Sequence, residues 1–267
     1  ALSRPAIASA SAACAAAAPN TWFQAYIPGD DARIAELIHR IAAAGFKTLV
    51  VTVDLPVQVN SERYAKNGFS TPLRPSVRLA WDGISHPRWL LGTFGRTLLS
   101  HGMPHFENWR AERGAPILSA NVQRDMVARD HLSWEHFKVV RRLWDGPLIV
   151  KGVMRKEDAL RAQNAGADGI IVSNHGGRQL DGALSPLDVL PEIVDAAYAT
   201  VHHHSEARRR GTDVLKALAL GAQCVFNGRS FNFAATTAGG AGVRHAIGIL
   251  RTEVDRDMAL LGVNRLD

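Results

Sequence analysis

Cysteine is nearly absent: Cys14 and Cys224 are the only two in 267 residues. Thiols so few and so far apart in sequence argue against a disulfide framework and fit a reducing, cytoplasmic setting. Long hydrophobic runs are also missing, and hydrophobic (46%) and charged (21%) residues sit near ordinary globular usage, so neither a bilayer span nor disorder is expected. Basic residues are in excess, giving a net charge of +6, but they are dispersed, with Arg208, Arg209 and Arg210 as the only tight run. No aromatic-interleaved basic stripe or zinc-ligand spacing accompanies them, so nucleic acid is not an expected partner and an anionic small ligand is. The opening "ALSRPAIASASAACAAAAPN" lacks the continuous Leu- or Val-rich core of a signal peptide and starts with Ala, so it reads as the interior of a longer gene product.

What the chain does contain, from Trp22 onward, is an alternation of short β-type runs with helical patterns, the signature of a parallel sheet built from βα units. "WFQAY" precedes a helix in which Ile34, Leu37, Ile38 and Ile41 form one apolar stripe, with Asp30 or Asp31 to cap its start and Gly45 to end it. "KTLVVTVD", "PLIVKGV", "GIIVSN", "TVHHHS" and "CVFNGR" follow as strands, with helices expected from about Lys156, Pro186 and Thr212 and a long last helix ending near Leu261. Such unbroken apolar runs suit strands buried on both faces. Between the second and third units lies an insertion, roughly 56–133, expected as a loop. Its stretch "HPRWLLGTFGRTLLSHGMPHFENW" is capable of peripheral membrane contact; the plainer reading, aromatics packed back onto the protein, is preferred. About six units are too few to close an eight-stranded barrel, which implies an incomplete TIM (β/α)8-type barrel forming a single domain over residues 1–267.

In parallel α/β folds, functional groups gather at the C-terminal ends of the strands. Those positions here hold Gln24 and Tyr26, Thr52 and Asp54, Lys151, Ser173, Asn174 and His175, Ser205, then Gly228 and Arg229. "SNHGGR" concentrates a hydroxyl, an amide, an imidazole, two glycines and a guanidinium in six residues. Imidazole is the side chain whose ordinary range lies near neutrality, which makes His175 the candidate base. Gly176 and Gly177 allow close approach of the backbone to a ligand, and Arg178 offers a planar fork for a carboxylate. Lys151 is costly to bury without an anionic or electron-rich partner, and serves equally as a Schiff-base lysine or one half of an ion pair. "NGR" and the helix start at "RRRGTD" have the makings of a phosphate site. The triple histidine at 202–204 is weighed as a metal site and set aside, because alternate strand residues face opposite ways; a local reading-frame slip is the other reading.

These residues resemble those of the FMN-dependent α-hydroxy acid dehydrogenase and oxidase family, with "SNHGGRQLDGA" its active-site signature, "RRGTDVLKALALGA" the helix after it, and "WFQAY", "TVD" and "VKG" at other strand ends. The insertion is most similar to that of the mandelate and lactate dehydrogenase branch. The resemblance implies FMN as cofactor and oxidation of a lactate- or mandelate-like L-2-hydroxy acid to the 2-keto acid, with oxygen, a quinone or a cytochrome as electron acceptor and a homotetramer as the assembly. It implies His175 as base, Tyr26 and Arg178 as substrate contacts, and Lys151 beside the flavin. Ser3, Gln24, Thr52 and Ser173 correspond to ring contacts, and Arg209, Gly228 and Arg229 to phosphate and ribityl contacts. Two departures predict impaired turnover: Ser61 in place of a second carboxylate-binding arginine, with Arg63 two residues off register, and Ser205 where the family's aspartate is expected to orient the histidine. Each loss removes a charge-assisted hydrogen bond, typically about 1.5–3 kcal/mol. The alternative is an inactive remnant that binds flavin weakly.

Overall fold

The computed structural model describes residues 20–57, 59, 62, 66–68, 73–105, 114–119, 132–197, 200–203 and 210–266. Two compact units emerge, one built from residues up to Thr48 and from Leu55 to Asp145, the other from Leu49 to Asp54 and from Gly146 onward.

The first unit contains strand β1 (Trp22–Ala25) and helix α1 (Asp31–Ala43). The expected stripe of Ile34, Leu37, Ile38 and Ile41 is buried. Asp30 caps α1 by accepting the Arg33 N–H at 3.0 Å, and Gly45 leaves the helix with φ +88°. Of the insertion expected as a loop, a large part is helical: α2 (Val77–Ser85), α3 (Pro87–Trp89), the π-helical turn π1 (Leu90–Gly95) and α4 (Arg96–His101). Ser76 caps α2 by accepting the Leu79 N–H at 3.2 Å. Of the aromatics in the stretch read as packed, Trp89 is 47% exposed and stacks on Phe94 with ring centroids 5.5 Å apart, while Phe106 and Trp109 lie outside the described residues. Val77, Trp81 and Ile84 recur at helical spacing along α2, yet all three face solvent, so the stripe has no core to announce it. Helix α5 (Trp134–Leu143) buries Phe137 and Val140 and packs against α1.

The second unit is a parallel sheet. Strands β2 (Thr48–Thr52), β3 (Leu148–Val153), β4 (Gly169–Val172), β5 (Thr200–His203) and β6 (Val225–Asn227) lie side by side in chain order. Helices α6 (Lys156–Asn164), α7 (Pro186–Ala196) and α8 (Gly211–Ala219) return the chain between them. Leu49, Val50, Val51, Leu148, Ile149, Val150, Ile170, Ile171 and Val172 are all buried, which is why these strands read as unbroken apolar runs with no polar alternation. On one face Val50, Ile149 and Ile171 cluster with Phe226 against them. Helix α9 (Arg229–Leu261) packs on α8 and is capped by Gly262 in the left-handed conformation. It is two helices joined at a kink, where Ala238 and Gly239 leave helical geometry.

One irregularity bears on function. The β3–β4 register shifts between Lys151 and Val153, and Gly152 between them has φ +108°. A Cβ there would stand 2.5 Å from the Asp54 Cβ, so only glycine leaves room for Asp54 beside β3.

Candidate active site

Parallel pairing aligns Thr52 with Lys151 at the ends of β2 and β3, and Val53 donates its N–H to the Lys151 carbonyl at 2.9 Å. The side chains just beyond the ends of β2 and β4 therefore converge on the end of β3. Lys151 Nζ donates to Asp54 Oδ2 at 2.9 Å, and His175 Nδ1 lies 2.8 Å from Asp54 Oδ1. The Ser173 hydroxyl accepts the His175 backbone N–H at 3.0 Å and lies 3.4 Å from Asp54 Oδ2, to which it donates. Lys151 is 1% exposed and Ser173 fully buried, so the cluster sits where water screens poorly.

The carboxylate fixes the chemistry of the ring. An acceptor-only group at 2.8 Å requires a proton on His175 Nδ1, so in the neutral ring the lone pair is on Nε2. The 3.4 Å approach of Lys151 Nζ to Nδ1 is then two donors converging on one carboxylate. Burial pushes the Asp54 carboxyl up, but the His175 hydrogen bond, the Lys151 charge and the remaining contacts outweigh it and hold the group below its ordinary value of 3.8. For Lys151 the balance falls the other way. Burial lowers its ammonium below 10.5, against the charge and hydrogen bond of Asp54 that raise it. Of the two roles open to Lys151 from sequence, the ion pair is the one found.

His175 itself has φ +58°, the one non-glycine residue in that region among the described residues. Such a conformation costs about 1–3 kcal/mol and needs support from its surroundings. Support comes from Ser173 and from Arg229, whose Nη2 donates to the Gly176 carbonyl at 2.9 Å; in the turn that follows, Asn174 Oδ1 accepts the Gly177 N–H at 3.0 Å. Arg178 follows directly, exposed in the same turn.

Sequence reasoning missed the role of Asp54, although "TVD" had been noted as a strand end. The expectation that Ser205 deprives His175 of its orienting carboxylate is corrected: that carboxylate is Asp54, 121 residues earlier in the chain. Ser3, Ser61, Arg63, His204, Ser205 and Arg209 lie outside the described residues. Gln24 is exposed and Tyr26 half-buried at the end of β1, in the first unit. Gly228 precedes α9, which Arg229 begins. At the start of α8 the first amides already have partners: Gly211 N–H donates to Glu253 at 2.9 Å and Arg210 N–H to Asp213 at 3.1 Å. Carboxylates thus meet two of the amides at that helix end.

A family model described as FMN-dependent dehydrogenase matches residues 1–267. The chain belongs to that family. It is 39% identical over 251 residues to the L-lactate dehydrogenase of Pseudomonas entomophila (strain L48), covering 92% of this chain and 64% of the relative. The L-lactate dehydrogenase of Vibrio parahaemolyticus serotype O3:K6 is 38% identical over 255 residues, with the same coverage. Among solved structures, the monotopic membrane protein (S)-mandelate dehydrogenase superposes with a TM-score of 0.81 at 35% identity, over 92% of this chain and 64% of that one. A mandelate oxidase gives 0.67 at 32% identity, over 95% and 62%. The chain thus spans about 64% of the length of the L-lactate dehydrogenases it matches. The fold class of the chain is α/β, of the TIM (β/α)8 type, with six strands among the described residues.

The residues present fit the family's cofactor. Thr52 is 3% exposed, and its hydroxyl oxygen is buried without a hydrogen-bond partner among the described residues. A buried hydroxyl left so is expensive unless a ligand meets it, and the carbonyl and ring-nitrogen edge of a flavin is such a ligand. Lys151, paired with Thr52 in the sheet register, adds a cation at the same strand ends.

Proposed function

We propose that this chain carries the site of an FMN-dependent dehydrogenase or oxidase that converts an L-2-hydroxy acid, lactate- or mandelate-like, to the 2-keto acid. The observation that carries the proposal is the Asp54, Lys151 and His175 cluster at three neighbouring strand ends, in a chain of this family. When bound, FMN supplies the two-electron oxidant that turning a secondary alcohol into a ketone requires. Arg178 grips the substrate carboxylate through its planar fork, and Tyr26 hydrogen-bonds the substrate. Nε2 of His175 removes the substrate hydroxyl proton as the carbonyl forms, and the electron pair leaves Cα with its hydrogen. Asp54 keeps the Nδ1–H tautomer in place and stabilises the imidazolium that results. Lys151 supplies positive charge where reduction adds negative charge. Thr52 and Ser173 would hold the ring and Gly228 and Arg229 the ribityl phosphate; the resemblance assigns Ser3 and Gln24 to the ring and Arg209 to the phosphate as well. The acceptor that reoxidises the cofactor is oxygen, a quinone or a cytochrome, and the working assembly is a homotetramer. The remnant reading loses the support it drew from Ser205, since His175 has a carboxylate in Asp54.

The test is direct. The FMN-loaded protein should be bleached anaerobically by L-lactate or (S)-mandelate, and His175→Gln should slow bleaching by at least about 100-fold, within the usual range for a general base. A loaded protein that neither acid bleaches, or a His175→Gln variant as fast as the parent, defeats the proposal.

A second reading concerns location. Among the described residues no helix is long and apolar enough to cross a membrane. Yet Val77, Trp81, Ile84, Trp89, Leu91 and Leu99 are exposed along α2 to α4, interspersed with Arg78, Arg88 and Arg96. Apolar anchors with basic neighbours are the makings of an interfacial helix, so these residues make peripheral contact with a membrane face. Trp81→Ser with Leu99→Ser should abolish co-sedimentation with anionic vesicles while leaving soluble turnover intact; unchanged sedimentation refutes it.

A further inference from the structure

The site as assigned leaves Asn174 without a task, although it stands between the buried Ser173 and the base His175. Its side chain spans the loop that follows. Oδ1 accepts the Gly177 N–H at 3.0 Å, and Nδ2 donates to the Leu184 carbonyl at 2.9 Å. Gly177 also donates to the Asn174 carbonyl at 3.2 Å, closing a tight turn, and the amide reaches the far end of the loop, ten residues on. Between those two anchored points lie Arg178 and an exposed segment in which Leu180 is 71% and Leu184 64% exposed. Apolar packing therefore does little to hold this loop. Beyond Leu184 the chain is fixed again, because Ser185 caps α7 by accepting the Leu187 N–H at 3.2 Å.

We infer that Asn174 is a positioning residue for substrate binding: its amide ties both ends of the 177–184 loop and so holds Arg178 at a set distance from His175. It touches no reactant and acts through Arg178, and this inference rests on the 2-hydroxy acid reading above. The bidentate fork of arginine is useful only if its base is fixed, since a swinging guanidinium gives up the ordering that makes it selective for a carboxylate. The amide suits this task, as one planar group donates at one end of the loop and accepts at the other. Loss of the clamp should weaken capture of the anionic substrate and leave the proton transfer at His175 untouched, because the Asp54 and Ser173 bonds to His175 do not pass through it.

The experiment compares Asn174→Ala and Asn174→Asp with the parent in the FMN-loaded full chain. Asn174→Ala should raise KM for L-lactate or (S)-mandelate about tenfold, equivalent to about 1.4 kcal/mol, with kcat within twofold. Asn174→Asp retains the acceptor for Gly177 but not the donor to Leu184, and should fall between. In an Arg178→Met background, Asn174→Ala should cost nothing further. Independently of turnover, backbone amide hydrogen exchange across 177–184 in the flavin-free protein should quicken in Asn174→Ala. An unchanged KM, a fall in kcat at constant KM, or an equal KM effect with and without Arg178 overturns the inference, as does unchanged exchange. If the parent oxidises neither acid while exchange quickens as expected, the dehydrogenase reading is what fails, and the clamp remains.

Discussion

Asp54→Asn is the most informative single perturbation, because one isosteric change removes the charge that both Lys151 and His175 address while preserving the packing against Gly152. The side chains of Asp54 and Lys151 are 7% and 1% exposed, so the pair is truly buried. Removing one partner of such a pair typically costs about 3–5 kcal/mol, because the other charge is left uncompensated. Lys151 has an escape, since burial already pushes its ammonium down and it can shed its proton. The loss should therefore fall toward the lower end at alkaline pH. In catalysis, His175 loses a charge-assisted bond of about 1.5–3 kcal/mol, which predicts a kcat lower by roughly 10- to 150-fold. The pH dependence has a defined sign. Asp54 is held below 3.8 in the fold, so its stabilisation is present above that value and disappears as pH falls through the lower folded value. Lys151 is held below 10.5, so the folded protein binds fewer protons there than the unfolded chain, and stability rises as pH climbs toward 10.5. Urea unfolding of the flavin-free protein across pH, with steady-state turnover of the loaded one, measures both. Adding Lys151→Met to Asp54→Asn should restore much of the lost stability but none of the turnover. A double variant no more stable than Asp54→Asn, or an Asp54→Asn protein with the parent's urea midpoint and kcat, refutes the buried-charge reasoning.

Three further outcomes follow from single contacts. Thr52→Val removes a buried hydroxyl that lacks a partner among the described residues, so the flavin-free protein should be as stable as the parent or more so, while FMN binds more weakly by about 1 kcal/mol, roughly fivefold in Kd by fluorescence quenching. Gly152→Ala forces a Cβ to within 2.5 Å of Asp54 and should erase the downfield His175 Nδ1–H proton resonance, whereas Gly221→Ala, with φ +97° and a Cβ 2.7 Å from Val194, should lower the melting temperature and leave that resonance in place. Glu253→Ala strips the cap from the Gly211 N–H and the partner from Arg210 Nε at 3.0 Å, and should destabilise the chain by about 1–3 kcal/mol in urea unfolding.

The order of strands and helices was legible in sequence wherever burial imposes a period. Ile34, Leu37, Ile38 and Ile41 announce α1 because one side of it is dry, and "TLVV", "LIV" and "GIIV" announce strands because both sides are. Val77, Trp81 and Ile84 carry the same helical spacing, but an apolar stripe among arginines with no core behind it passes for loop composition, and α2 went unrecognised. The base and its glycine neighbours were also legible, being contiguous in "SNHGGR".

Contiguity is what the orienting carboxylate lacks. Asp54 and His175 are 121 residues apart, and Lys151 stands 97 from Asp54, so no spacing rule links them. They meet because parallel pairing sets β2, β3 and β4 side by side with their C-terminal ends level, and because the glycine at 152 leaves a hollow for one carboxylate. The sequence by itself determined the local choices: the strands, most of the helices, the glycines after β4 and the kinds of group at each strand end. Only tertiary structure decided which of those groups share a charge, since hydrogen bonds act over about 3 Å of space and are indifferent to distance along the chain.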